Sequence, residues 1–238
     1  MAAAHSDTPG WLLDELASAG SENLDAAHVA RYDAKEDAAA AGEVRLLRGL
    51  GLGAGSTVLD LGAGTGQFTL AVAPLCARVV AVDVSPTMQA RLRAKVEASA
   101  RPNIECVTAG FLTYEHAGDP VDVAYSRYAL HHLPDFWKVH ALVRLARVMR
   151  PGAVFRLWDV VYDFQPSEAA DRIERWCATG GTDAATEWSR AELEEHVRGE
   201  HSTFTWLLEP MLERSGFRIE DAEYSGDGIF AKYVLRRV

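Results

Sequence analysis

The sequence is poor in the features that mark most functional classes. Its 238 residues include three cysteines, Cys76, Cys106 and Cys177, far apart and odd in number. No C-x-x-C pair and no cluster of cysteine and histidine at metal-ligand spacing occurs, so reduced thiols and no metal are expected. No run of about 18 apolar residues is present, so no segment is expected to span a membrane. Residues 1–20 lack a basic start followed by an apolar core, so no secretory signal is expected and the expected location is cytoplasmic. Basic side chains are outnumbered, 24 Lys and Arg against 34 Asp and Glu, for a formal charge of −10. Affinity for a phosphate backbone draws on Lys and Arg, so this balance argues against a nucleic-acid partner. The basic runs at 91–95 and 144–150 fall on helical patterns and read as solvated faces. There is no G-x-S-x-G and no cysteine in a nucleophile motif, so no covalent catalysis is expected.

What remains is ordinary globular composition, 48% hydrophobic and 24% charged, in a length that suits one α/β domain with a small cap. From Val58 onward short apolar runs alternate with helical patterns. Runs at 58–61, 79–82, 104–107, 121–125 and 153–161 read as strands, and 68–75 reads as a helix. Ser85-Pro86 starts another helix, with serine as N-cap and proline in its first turn. Pro151-Gly152 stops the helix that follows Pro134-Asp135. Such alternation implies βαβ units, a parallel sheet covered on both faces and, with right-handed crossovers, a doubly wound architecture. Its ligand is expected beyond the carboxyl ends of the strands.

The flanking parts are less regular. Residues 10–48 read as helical, with a break at Gly20-Ser21 and an Ala-rich segment containing Tyr32. They are expected to fold back as a cap, giving a helical cap over 1–48 and a core over 49–238. Residues 164–204 break the rhythm, with helical patterns near 167–176 and 189–197, and predict a helical insertion at about 163–203 above the crevice. Residues 203–215 read as one more helix. A hairpin of two strands, 217–224 and 229–235, follows around Ser225-Gly226-Asp227-Gly228.

The stretch around which all this is organised is Asp60-Leu61-Gly62-Ala63-Gly64-Thr65-Gly66, where an apolar run enters a turn with glycine at every second position. Such a turn lets a ligand lie against bare backbone, facing the free N–H groups of the next helix. The spacing is G-x-G-x-G rather than the dinucleotide fingerprint G-x-G-x-x-G, which makes a nicotinamide-dependent oxidoreductase a poor reading. An acidic residue, Asp83, ends the next strand twenty-one positions after Gly62. With Asp60, these residues resemble the class I S-adenosylmethionine-dependent methyltransferases: Gly62, Gly64 and Gly66 match the first motif of that family and Asp83 the second. The resemblance implies a mostly parallel, seven-stranded Rossmann-like sheet with a reversed C-terminal strand, S-adenosylmethionine as cofactor and S-adenosylhomocysteine as product.

The resemblance also assigns roles. Asp83 would hold the ribose hydroxyls, and Gly62, Gly64, Thr65 and Gly66 would form the cradle. Asp60 either orients the amino group of the cofactor through the turn or caps the loop. Val84 and Met88 would wall the adenine on one side and Phe111 on the other, with Gly110 at its polar edge, although Met88 also reads as ordinary core. Here the sequence departs from the family, because Gly110-Phe111 stands where an aspartate often meets the adenine amine. Ser126 and Arg127 would lie at the reacting end, where Arg127 also reads as a surface ion pair. Tyr32 would reach the methionine end, or belongs to a plain packing helix.

For acid–base work the expected candidates are His131, His132 and Asp159, since imidazole titrates near neutral pH, with one histidine of the pair expected to be structural. Tyr162 is a further candidate. Trp176, Trp188 and Trp206 either line an apolar pocket or fix the insertion. The sum is a methyltransferase acting by in-line transfer on a small organic acceptor. The alternatives are a binding protein for S-adenosylmethionine without turnover and a methyltransferase for a macromolecular acceptor.

Overall fold

A computed structural model describes residues 9–20, 22–36, 39–183 and 185–238. Two helices, α1 (Ala26–Lys35) and α2 (Ala40–Gly49), precede the sheet. Then come β1 (Thr57–Leu61), α3 (Gln67–Val72), β2 (Arg78–Asp83), α4 (Pro86–Ser99), β3 (Ile104–Thr108), β4 (Val121–Arg127), α5 (Asp135–Val148) and β5 (Met149–Tyr162). The insertion forms α6 (Ala169–Cys177) and α7 (Arg190–Gly199), and β6 (Thr203–Phe204), α8 (Thr205–Arg214), β7 (Phe217–Tyr224) and β8 (Phe230–Arg237) complete the chain.

The strands lie in the order β3-β2-β1-β4-β5-β8-β7, with β6 beside β5. Pairs from β3 to β5 are parallel, whereas β8 runs antiparallel to both β5 and β7. The doubly wound sheet with a reversed C-terminal strand is as expected, and β6 adds an eighth, two-residue strand. Side chains alternate across it as a pleated sheet requires. Val58, Val79, Val123 and Val154 share one face with residues of α2 and α3. Leu59, Val80, Ala124 and Phe155 share the other with residues of α5 and α8. Both faces are therefore dry, and the apolar runs read as continuous for that reason.

Local chemistry sets the element ends. The Ser85 hydroxyl accepts from the Met88 N–H at 3.1 Å as the N-cap of α4. Ser189 and Glu192 form a reciprocal capping box at the start of α7. The helical expectation fails at 10–19, which form successive turns. There the Asp14 carboxylate accepts from the N–H groups of Leu16 and Ala17 at 3.0 and 3.2 Å, and aspartate bonded this way competes with helix. Residues 203–204 were likewise expected to be helical and instead pair with β5. α2 is fixed to the sheet by a buried pair in which Arg156 donates to both oxygens of Glu43, at 2.7 and 3.0 Å.

Candidate active site

The three glycines of the turn after β1 all have positive φ, +74° at Gly62, +53° at Gly64 and +84° at Gly66, but their surroundings differ. A Cβ on Gly62 would fall 2.2 Å from the Ala129 methyl, and one on Gly66 would fall 2.1 Å from Leu92 Cδ1. These two glycines therefore allow close packing against the 129 turn and α4. A Cβ on Gly64 would meet nothing within 4 Å. Gly64 alone presents bare backbone to open space, so the cradle narrows to one glycine and its neighbours.

Asp83 closes the turn from the end of β2. Its Oδ2 accepts from the Gly64 N–H and its Oδ1 from the Ser85 N–H, both at 2.8 Å. Burial pushes its pKa up to about 6, against the lowering effect of these two bonds. Asp60 is 2% exposed and accepts from the Thr69 hydroxyl at 2.5 Å. Burial pushes its pKa up to about 7, with the Asp83 charge adding to the rise. Asp60 thus caps the loop, and it also lines a small cavity shared with Tyr32, Gly64, Thr65 and Arg127.

The crevice beside Asp83 brings together Tyr32, Gly62, Gly64, Val84, Met88, Gly110, Phe111, Arg127 and His132. Met88 is 3% exposed, so it serves the core and the wall at once. Ser126 is fully buried in β4, lines none of the three cavities, and its hydroxyl has no hydrogen-bond partner. It therefore stands behind the crevice rather than in it. Arg127 reaches the crevice, but its guanidinium donates to Glu36 at 2.5 Å and lies over the rings of Tyr128 and Trp158. The expected surface ion pair of Arg127 is thus corrected to a buried one, with the two side chains 9% and 14% exposed.

Sequence reasoning missed the carboxylates that the N-terminal segment contributes. Glu15, 6% exposed, accepts from the Leu112 N–H at 3.0 Å and from the Thr113 hydroxyl at 3.1 Å. Its carboxyl carbon stands 2.3 Å from where a Cβ on Gly110 would be. The glycine in place of an aspartate thus makes room for an acidic group from elsewhere in the chain. Burial raises the Glu15 pKa, opposed by these hydrogen bonds. Asp33 of α1 accepts from the Thr65 hydroxyl, from Gln67 and from the Lys95 ammonium. Asn23 and Leu24 give their carbonyls to Ser85 and Thr87 at 2.6 and 3.0 Å. Only the glycine at 110, out of family pattern, signalled that a partner was needed.

On the other side of Tyr32 lies a wider cavity of about 480 Å³, against about 80 Å³ beside Asp83. Tyr32, Tyr128 and His132 line both. Trp176 and Trp188 of the insertion line the larger one with Phe230, whereas Trp206 is 55% exposed and stacks on Phe204. The Trp188 indole also donates to Glu36 at 3.1 Å, joining the insertion to the ion pair of Arg127. Tyr162 packs against Phe164 and Phe204 away from all three cavities.

His131 and His132 differ sharply. Burial alone would lower the His131 pKa, but contact with Asp159 and then Glu200 raises it to about 10. Burial and the neighbouring His131 charge lower His132 to about 3. Asp159, 2% exposed, accepts from the His131 ring and from the N–H groups of His131 and Val160, and it lines none of these three cavities. As a group meeting a substrate it is therefore misplaced, because β5 carries it behind the histidine that it holds. His132 Nδ1 has no hydrogen-bond partner.

The chain is similar to known methyltransferases in sequence and in fold. Residues 58–152 match a family model described as a methyltransferase domain. The chain is 29% identical over 193 residues to an uncharacterized methyltransferase of Geobacillus kaustophilus, covering 81% of this chain and 83% of that one. It is 32% identical over 102 residues to the demethylmenaquinone methyltransferase of Shouchella clausii, covering 42% and 43% of the two chains. A SAM-dependent methyltransferase from Aquifex aeolicus shares the fold with a TM-score of 0.62 at 19% identity, over 89% of this chain and 98% of that one.

Proposed function

We propose that the chain is a class I S-adenosylmethionine-dependent methyltransferase, as its match to a methyltransferase-domain model and its methyltransferase relatives support, and that it methylates a small organic acceptor held in the cavity beyond Tyr32 and His132. The observation that carries this reading is the pairing of Asp83 with Gly64. Each Asp83 oxygen is aligned by one backbone N–H, and a carboxylate oxygen has capacity for a second donor. Two such oxygens match a ribose diol, and the Cβ position of Gly64 beside them is open. Glu15, at the place a side chain of residue 110 would take, suits the adenine amine. These residues fit the nucleoside on polarity and shape.

When bound, S-adenosylmethionine would supply an electrophilic methyl group on its sulfonium, with S-adenosylhomocysteine as the leaving group. The contribution of the chain is placement, which in-line alignment makes worth about 7–11 kcal/mol. Tyr32 and His132, lining both cavities, would hold the two molecules in line. His131 and Asp159 position that turn. The aromatic lining of the cavity supports a small acceptor, as does the demethylmenaquinone methyltransferase among the relatives. Room for an acceptor beside the crevice counts against a binding protein without turnover.

Thermal-shift measurements with S-adenosylmethionine, S-adenosylhomocysteine and NAD test the cofactor, with shifts expected for the first two only. Incubation with methyl-labelled cofactor and pools of small hydroxyl and amine compounds tests the acceptor by mass spectrometry. Stabilisation by NAD alone would refute the cofactor reading. Label recovered only in protein or RNA would refute the small acceptor.

A further inference from the structure

The large cavity contains a second constellation, of which methyl transfer as argued above uses only His131, as a support of its turn. His131, from the turn at 130–132, meets His196 and Glu200, from the end of α7, and all three line the cavity. His131 Nε2 and His196 Nδ1 lie 2.8 and 2.6 Å from the same oxygen, Glu200 Oε2. Yet that oxygen makes no hydrogen bond of acceptable direction with either ring. One nitrogen from each ring and one carboxylate oxygen converge within 4.8 Å of one another.

The remaining ring nitrogens are tied down. His131 Nδ1 is bonded to Asp159, itself anchored by the N–H groups of His131 and Val160. His196 Nε2 meets the Ser202 hydroxyl at 2.9 Å. A partner on the far nitrogen is what fixes the ring orientation of a metal-ligating histidine. The backbone is held as well: the His201 N–H donates to the His131 carbonyl at 2.9 Å, and Lys138 donates to the His201 carbonyl.

We infer that His131, His196 and Glu200 form a site for a divalent transition-metal ion, zinc in the first instance, with its open coordination positions turned to the cavity. Two imidazoles and one carboxylate are a ligand set that zinc takes at open sites, with bonds of about 2.0–2.2 Å. Tetrahedral donors at that radius stand about 3.3 Å apart, so the carboxylate of Glu200 must withdraw by a few tenths of an ångström from each ring. A side chain at a helix end, 13% exposed, can do this. The open positions would take an oxygen donor entering the cavity, and this last point alone rests on the methyltransferase reading.

The test uses the full chain, stripped with a chelator and titrated with zinc chloride by calorimetry and with cobalt chloride by visible absorption. One ion per chain is expected, with the intense d–d bands of low-coordinate cobalt. His196→Ala and Glu200→Gln should abolish both signals. Ser202→Ala, which removes only the partner of His196 Nε2, should weaken affinity about tenfold to hundredfold. Circular dichroism checks that each variant is folded, and Ser202→Ala serves if a ligand variant is not. Absence of stoichiometric binding at micromolar metal would overturn the site. So would binding that persists undiminished in the three variants. Thermal shift with S-adenosylhomocysteine, run on the same samples, reads the cofactor site separately, so either proposal can fail without the other.

Discussion

Replacing Asp83 by Asn keeps the shape of the side chain, removes its charge and puts an amide NH2 where one of its two oxygens accepts from a backbone N–H. In the free protein the Asp83 carboxyl is raised from 3.8 to about 6 because burial disfavours the charge. Such a group stabilises the fold below its unfolded pKa, and that contribution is lost as pH rises through the folded value. Two units correspond to at most about 3 kcal/mol, so the wild-type chain without cofactor should lose stability between about pH 4 and pH 6. The Asn variant should show a shallower slope there, with Asp60 supplying the rest from its own raised value near 7. Cofactor binding should have the opposite trend. Hydroxyl donors favour the ionised carboxylate, so affinity should rise with pH through 6 by up to about tenfold per unit and then level off. Charge-assisted bonds are worth roughly 1.5–3 kcal/mol, which makes the expected loss in Asp83→Asn at pH 7.5 about tenfold to hundredfold. Calorimetry with S-adenosylhomocysteine from pH 5 to 8 measures both effects. Equal affinities and parallel pH profiles in a folded variant would show that no ribose meets this carboxylate.

Two other perturbations probe the same crevice. Gly64→Ala keeps an accessible φ and meets no atom, so it should fold with a loss of about 1–2 kcal/mol and yet bind cofactor poorly. Gly62→Ala should instead destabilise the fold by about 1–3 kcal/mol, with partial rescue by Ala129→Gly; denaturant titration of the variants separates the two glycines. Glu15→Ala leaves the buried Leu112 N–H without its acceptor, for about 1–3 kcal/mol of stability. It should also remove the preference for S-adenosylhomocysteine over its inosine analogue, measured by competition binding.

Some of this was legible in the sequence because backbone constraints are local. Three glycines in five residues, an N-capping Ser85 before Pro86 and apolar runs buried on both faces each dictate the conformation of their own neighbourhood, whatever the rest of the chain does. The glycine turn, the parallel strands and the placement of Asp83 at a strand end follow from them. Where a polar side chain could satisfy the backbone in two ways, pattern alone misled. Asp14 turns 10–19 away from helix, and Thr203 and Phe204 join β5 instead of α8.

Groups brought together from distant segments were decided only by tertiary structure. Glu15 fills the space that Gly110 leaves, Asp33 fastens α1 to the glycine turn, and Arg127 finds Glu36. His131 meets His196 and Glu200 because the insertion folds back over β5. The i, i+4 spacing of His196 and Glu200 was visible along the chain, but their partner was not. Sequence fixes which side chains a segment can offer and on which face. Which offers meet is set by the packing of whole elements, a property of the sum of many weak contacts rather than of any residue nearby.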